Sequence, residues 1–270
     1  MWEIKEVTIK ICLQNLAPME VHAHSHTPRK KWTHYFWEFL MLFLAVFCGF
    51  LAENQREHYV EHQREKQFIQ TLLQDLGNDT TNFNRSISIF RSNVERFDSL
   101  KTSVKDPHTQ EDILNAYKAS TLPQSFSSFN YSDRTIEQLR SAGNFRLIRN
   151  SAVSDALIEY DRYIRNTYLE TEKILSDLSI ALGEKQNEIF DYDLLNYFIS
   201  KSWQQRQLIT LDSLAQPPRL LIDNEQKLQQ YYNSFGMWRN WCSRMTKHSS
   251  GAKKDVIKLI DLVKKEYHLE

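Results

Sequence analysis

The chain has 270 residues, with 34 Lys and Arg against 34 Asp and Glu, so it lacks the basic excess of a nucleic-acid binder. Apolar residues make up 41% and charged residues 25%, which excludes a chain disordered by composition. Six Gly and six Pro are few for this length and count against a many-turned β fold.

Residues 1–34 read as a cytoplasmic tail. Met1 to Pro18 carry no pattern, and Met19 opens "MEVHAHSHTPRKKW", so Met19 is expected to be the translation start. His22, His24 and His26 alternate there. Three imidazoles can chelate a transition metal, but a flexible tail imposes no geometry, so no metal is assigned.

From Tyr35 to Ala52 only Glu38 is charged. As a helix this stretch measures roughly 27 Å, close to the roughly 30 Å hydrocarbon core of a bilayer. Arg29, Lys30 and Lys31 precede it, and Trp32, Tyr35 and Trp37 sit where an interfacial aromatic belt belongs. The positive-inside rule then places the N-terminus in the cytoplasm. A cleaved signal peptide fits less well: Phe50 and Phe47 stand where small residues are needed before Ala52 and Gly49. A buried core helix has no use for the basic and aromatic flank. Residues 35–52 are therefore expected to be an uncleaved transmembrane helix.

At 100° per residue, His34, Glu38, Ala45, Cys48, Gly49 and Ala52 fall on one side of this helix, and Phe39, Phe43, Phe47 and Phe50 on the other. Ala45 and Gly49 have small-xxx-small spacing, which lets two backbones approach closely in lipid. The expected partners are thus the lipid bilayer and a second copy of the helix. Glu38 is a functional suspect as an intramembrane carboxylate. It also lies one turn beyond Tyr35, where it can be solvated or pair with His34. The three cysteines, Cys12, Cys48 and Cys242, are far apart and form no CxxC, which excludes a metal knuckle or redox motif.

Residues 53–67 are nearly all polar and read as a solvated helical stalk. No Gly or Pro separates Ala52 from Leu76, so the anchor can run on unbroken. His58 and His62 share a helical face with Glu61 and Glu65 near them. The order lacks the Glu after the first His that a zincin uses, and no metal is assigned here either.

Residues 68–270 read as helix after helix. Phe68, Leu72, Leu76, Phe83, Ile87, Phe90, Val94 and Phe97 step mainly by three and four and form one apolar face. Asp106-Pro107 breaks the pattern, and a shorter helix follows from Thr109 to Ser120. Leu122 to Ser132 is a loop by its Pro and Ser content. Gly143, with Asn144 after it, is placed to end a helix in the left-handed conformation, and Asn150 or Ser151 to cap the next. That helix carries Val153, Leu157, Tyr160, Ile164, Tyr168, Thr171, Leu175, Leu178 and Leu182 at helical spacing. Gln216-Pro217-Pro218 marks another break. Leu228, Tyr231, Phe235, Trp238, Cys242 and Met245 then form a stripe, and a terminal helix "KKDVIKLIDLVKKEYHLE" closes the chain. The fold class is all-α: one N-terminal transmembrane helix followed by an extended antiparallel helical bundle.

The anchor followed by "AENQREHYVEHQREKQFIQTLLQDL", with "TIEQLRSAGNFRLIRNSAVSDALIEYD", resembles a family of uncharacterised single-pass membrane proteins of Gram-negative bacteria. In this chain the Leu-x-x-x-Gly-Asn-x-x-Leu-Ile element is Leu139, Gly143, Asn144, Leu147 and Ile148. The resemblance covers most of the chain from Met19. It implies an inner-membrane location with a periplasmic helical domain, and it implies no reaction.

Tyr231, Trp238 and Trp241 make an aromatic-rich helix, which reads as core or as the lining of a groove for a partner. No phosphate loop, Ser-His-Asp order or paired-Cys site is present, and no catalytic residue or cofactor is assigned. Tyr131, Asp133 and Arg134 have no partner that sequence reveals. The function expected is a membrane-anchored, non-enzymatic interaction, scaffold or sensor module with an unidentified protein partner. The alternatives are an accessory subunit acting through its transmembrane helix and an anchored hydrolase.

Overall fold

The computed structural model describes residues 31–125, 128–141 and 143–269. The expected Met19 start, His22, His24, His26 and Cys12 lie outside the described residues. The elements are α1 (Trp32–Lys105), α2 (Gln110–Ser120), α3 (Arg134–Ser141), α4 (Ser151–Tyr163), α5 (Leu169–Ile189), α6 (Tyr192–Ile199), α7 (Trp203–Gln207) and α8 (Glu225–Glu266). Among the described residues there is no strand, only an isolated antiparallel bridge between Phe190 and Leu220. The chain divides into two compact units, with the boundary between His58 and Tyr59.

In the first unit α1 carries an 18-residue window of mean hydropathy 2.0, none of it buried. One helix long and apolar enough to cross a membrane therefore lies near the N-terminus. Phe39, Phe43 and Phe47 stack along one side, with ring centroids 6.3 and 5.9 Å apart. Ala45, Cys48, Gly49 and Ala52 are exposed in the single chain.

In the second unit α1 packs by a seven-residue rule. Ile69, Leu76, Phe83, Phe90, Phe97 and Val104 recur every seven positions and are at most 3% exposed. A second set, Glu65, Leu72, Asp79, Ser86 and Asn93, recurs at the same interval and is equally hidden. This corrects the sequence reading of the face. Phe68, Ile87 and Val94 lie at its half-buried flanks, and four polar residues share its centre. The heptad spacing keeps one seam turned inward from Glu65 to Val104. The stalk reading is corrected too at its far end, because Glu65 is buried.

Lys105 ends α1 ahead of Asp106-Pro107, as proline's restriction on the preceding residue requires. Thr109 then caps α2 with a capping box: its Oγ1 accepts the Asp112 N–H at 3.0 Å and Asp112 accepts the Thr109 N–H at 3.0 Å. Leu122–Ser125 form a 3-10 turn at the start of the expected loop. Gly143 sits at φ +62°, ψ +22°, and Asn150 caps α4 by accepting the Val153 N–H at 3.1 Å.

The single helix expected through Val153 and Leu182 is interrupted by a π turn, Ile164–Tyr168. Ile164 and Tyr168, at the two ends of this turn, are both fully buried. The Leu228 stripe and the terminal helix, read as two pieces, are one 42-residue helix, α8. The reason is visible at Ser249, Ser250 and Gly251. Ser250 bonds back to the Thr246 carbonyl at 2.7 Å, and the buried stripe runs on through Ser249, Ala252, Val256, Leu259 and Val263.

α8 packs along α4, the π turn and α5. The pairs that join them are Tyr163 with His248, Tyr168 with Ser249, Ser179 with Trp238 and Gln186 with Tyr231. The largest fully buried side chains are Trp238, Tyr117, Tyr168 and Tyr231.

Candidate functional site

Among the described residues five buried carboxylates organise the second unit, and four of them accept backbone N–H groups from loop chain or from the first turn of α3. Glu65 accepts the Arg149 N–H at 2.8 Å. Asp75 accepts the Thr135 N–H at 3.0 Å and its hydroxyl at 2.5 Å, with Arg134 Nη2 at 3.2 Å. Asp79 accepts the Ser132 N–H and the Tyr160 hydroxyl, both at 2.8 Å. Glu172 takes the Phe129 N–H on both oxygens, at 2.9 and 3.1 Å. The fifth, Asp161, accepts the Tyr131 hydroxyl at 2.8 Å and Arg165 Nε at 2.9 Å, and is paired with Arg140.

Charge compensation divides these acids. Asp75 faces Arg134, Asp161 faces Arg140 and Arg165, and Glu65 lies 3.9 Å from Arg149 Nε. Among the described residues Asp79 and Glu172 receive only uncharged donors. Loss of solvation pushes the Asp79 carboxyl up to about 6 and that of Glu172 up to about 7, against the hydrogen bonds that pull them down. Burial and the adjoining carboxylates raise the Tyr131 and Tyr160 hydroxyls well above the ordinary range, so both stay neutral donors.

A cleft of about 630 Å³ lies between the start of the α1 seam, residues 149–150 and the end of α8. Glu65 forms its floor. It receives the Tyr267 hydroxyl at 2.6 Å, and His62 Nδ1 lies 3.5 Å away. Burial and Glu65 raise the Tyr267 hydroxyl. Ile69 and Leu269 supply apolar wall, and Lys66, His62 and His268 offer donors at the rim. His268 is held at φ +51°, a left-handed conformation that side chains with a Cβ adopt at a cost. It occupies the glycine place of a helix-ending motif in which the Leu269 N–H reaches the Lys264 carbonyl at 2.9 Å. The cleft can receive a group with an apolar body and a hydrogen-bonding head.

The structure separates the residues singled out from sequence. His34, Glu38, Ala45, Cys48, Gly49 and Ala52 belong to the exposed apolar helix. His62 joins the cleft, while His58 belongs to the first unit. Among the described residues no cluster of three His, Cys, Asp or Glu is arranged to hold a metal ion. Tyr231 and Trp238 are 1% and 0% exposed, so neither presents an open face to a groove. Their polar atoms are used internally: Tyr231 donates to Ser120 Oγ at 2.9 Å and Trp238 Nε1 to Ser179 Oγ at 2.9 Å. Trp241 is half-buried, with the Arg244 guanidinium 4.4 Å above its ring.

Asp79, Asp161, Glu172 and Tyr267 were not singled out from sequence, and Glu65 was named only as a carboxylate near His58 and His62. One signal was available for two of them: Glu65, Asp79, Ser86 and Asn93 fall at multiples of seven, in register with Leu72. Tyr131, Asp133 and Arg134 do find partners, in Asp161, Arg165 and Asp75. No protein-family model, curated protein or solved structure matches this chain.

Proposed function

We propose that the chain is a membrane-anchored helical protein acting as a non-enzymatic interaction, scaffold or sensor module, with its N-terminus in the cytoplasm and an extended antiparallel helical bundle in the periplasm of a Gram-negative bacterium. The observation that carries the reading is the apolar window of α1, mean hydropathy 2.0 and none of it buried, on a helix whose later turns supply a packed seam. Arg29, Lys30 and Lys31 ahead of the window support the orientation. The resemblance of the anchor and of the Leu139–Ile148 element to single-pass proteins of such bacteria supports the compartment. The antiparallel reading rests on the contacts of α8, whose numbers fall from 248 to 231 as those of its partners rise from 163 to 186.

The cleft floored by Glu65 is the place in this reading where a ligand or partner is received. A periplasm-active reporter fused after Glu270 is expected to be active. A soluble product with its N-terminus near Glu53 overturns the anchor. Purification from solubilised membranes, with and without Lys66→Glu, tests the cleft: a partner that the wild type retains and the variant loses supports it. Equal recovery of every partner argues against it.

A second reading is favoured by Glu38, exposed on the apolar helix beside His34. In it the protein is an accessory subunit whose transmembrane helix meets a membrane partner, which shields the carboxylate from lipid.

A further inference from the structure

The segment 128–135, which leads into α3, reaches from α5 to α1 without helical hydrogen bonds of its own until Arg134. Its backbone donors must therefore be satisfied from outside. Every third N–H is taken by a buried carboxylate: Phe129 by Glu172 of α5, Ser132 by Asp79 of α1, and Thr135 by Asp75 of α1. The Phe129 ring is held between Phe83, with centroids 4.4 Å apart, and Tyr168, at 5.0 Å. The segment is thus a clasp that ties α1, α4 and α5 together over an aromatic cluster.

Two of the three ties differ from the third. Asp75 has the Arg134 guanidinium to offset its charge. Asp79 faces Asp75 on α1, Tyr131 and Ser132 on the segment, and Tyr160 on α4. Arg140 and Arg165 are held on Asp161 instead. Glu172 faces the Phe129 N–H, and Tyr168, four residues before it, shares hydrogen bonds with the hydroxyls of Ser249 on α8 and Ser86 on α1. A carboxylate buried without a cation is stabilised by taking up a proton, and its carbonyl oxygen still accepts the N–H.

We propose that residues 128–135 form a proton-tightened clasp, closed when Asp79 and Glu172 are neutral and loosened when they ionise. The raised carboxyls, about 6 for Asp79 and about 7 for Glu172, put the change in the neutral range. Ionisation favours the open segment, in which water solvates both charges. Opening bares the Phe83, Phe129 and Tyr168 rings. Acidification therefore hides an apolar surface and alkalinisation offers it.

The test is amide hydrogen exchange on the full chain in detergent micelles at pH 5.5 and pH 8.5, corrected for the intrinsic rate at each pH. Phe129 is expected to be protected at least about tenfold more at pH 5.5, and Ser132 about threefold, because each pK unit is a tenfold factor in the coupled opening. Both amides are expected to exchange faster than that of Trp238, which marks global opening. Glu172→Gln keeps the acceptor oxygen and removes the charge, so Phe129 protection becomes independent of pH; Asp79→Asn does the same for Ser132. Equal protection at the two pH values in the wild type overturns the proposal. So does a pH dependence of Phe129 that survives Glu172→Gln, or exchange of Phe129 at the Trp238 rate throughout. If Glu172→Gln does not fold, the wild-type comparison alone decides.

Discussion

The Tyr267 hydroxyl donates to Glu65 Oε1 across 2.6 Å, joining residues 202 positions apart. Glu65 is 2% exposed, and its other donor from the backbone is Arg149 N–H. The bond closes the start of the packed α1 seam against the end of α8.

Tyr267→Phe removes that donor and leaves the buried carboxylate short of one partner. Hydrogen bonds to charged groups contribute about 1.5–3 kcal/mol, so the variant should lose about 2 kcal/mol. Denaturant unfolding of the full chain in detergent measures this. A loss within error of zero would show that water replaces the hydroxyl at no cost.

Asn93 sits in the inward seam at 1% exposure, and its Nδ2 and Oδ1 have no hydrogen-bond partner. An unpaired buried amide costs about 1–3 kcal/mol. Asn93→Leu keeps the volume similar and removes the polar atoms, and is expected to raise stability by about 1 kcal/mol or more. A destabilised Leu variant would mean that the amide has a partner in solution.

Global stability should rise on acidification from pH 8 to pH 5. The sign follows from the direction of the shifts. Asp79 and Glu172 have folded-state values above the ordinary 3.8 and 4.5, so the folded chain binds more protons than the unfolded one in between. Their stabilising contribution is full below about pH 4 and is lost as pH rises through about 6 and about 7. The loss between pH 5 and pH 8 is on the order of 3 kcal/mol. Glu172→Gln is expected to flatten most of the slope, and thermal melts across this range check it.

Two turns should respond oppositely to exchange of a side chain for none. Gly143 is at φ +62° with open space around it, so Gly143→Val is disfavoured by backbone strain alone, about 1 kcal/mol. His268 is at φ +51°, so His268→Gly should stabilise by a similar amount. Paired melting curves test both, and equal signs for the two variants would refute the strain argument.

Self-association of the anchor is expected through Ala45, Cys48 and Gly49, with the Phe39, Phe43 and Phe47 stack turned to acyl chains. Cys48 is exposed in the single chain. Mild oxidation of intact membranes should give a Cys48–Cys48 cross-link that Gly49→Leu reduces. If cysteines placed at positions 43 and 47, with Cys48 removed, cross-link better, the opposite face is the contact.

The helical character of the chain and its one apolar helix near the N-terminus were legible in the sequence. Both depend on local quantities: the spacing of apolar residues along a single helix, and a hydropathy sum over one window. The end of α1 before Asp106-Pro107 and the cap at Asn150 were legible for the same reason, since backbone restriction and capping act within a few residues. Tertiary structure decided where the polar residues go. Glu65, Asp79, Ser86 and Asn93 lower the apolar signal of α1, yet they lie inside. Three of them accept or share hydrogen bonds from distant chain, Arg149 and Tyr267, Ser132 and Tyr160, and Tyr168. Periodicity describes the faces of one helix and carries no record of which loop will donate to them. Whether a carboxylate is buried beside a guanidinium, as Asp161 is, or without one, as Glu172 is, was therefore set only when the helices packed.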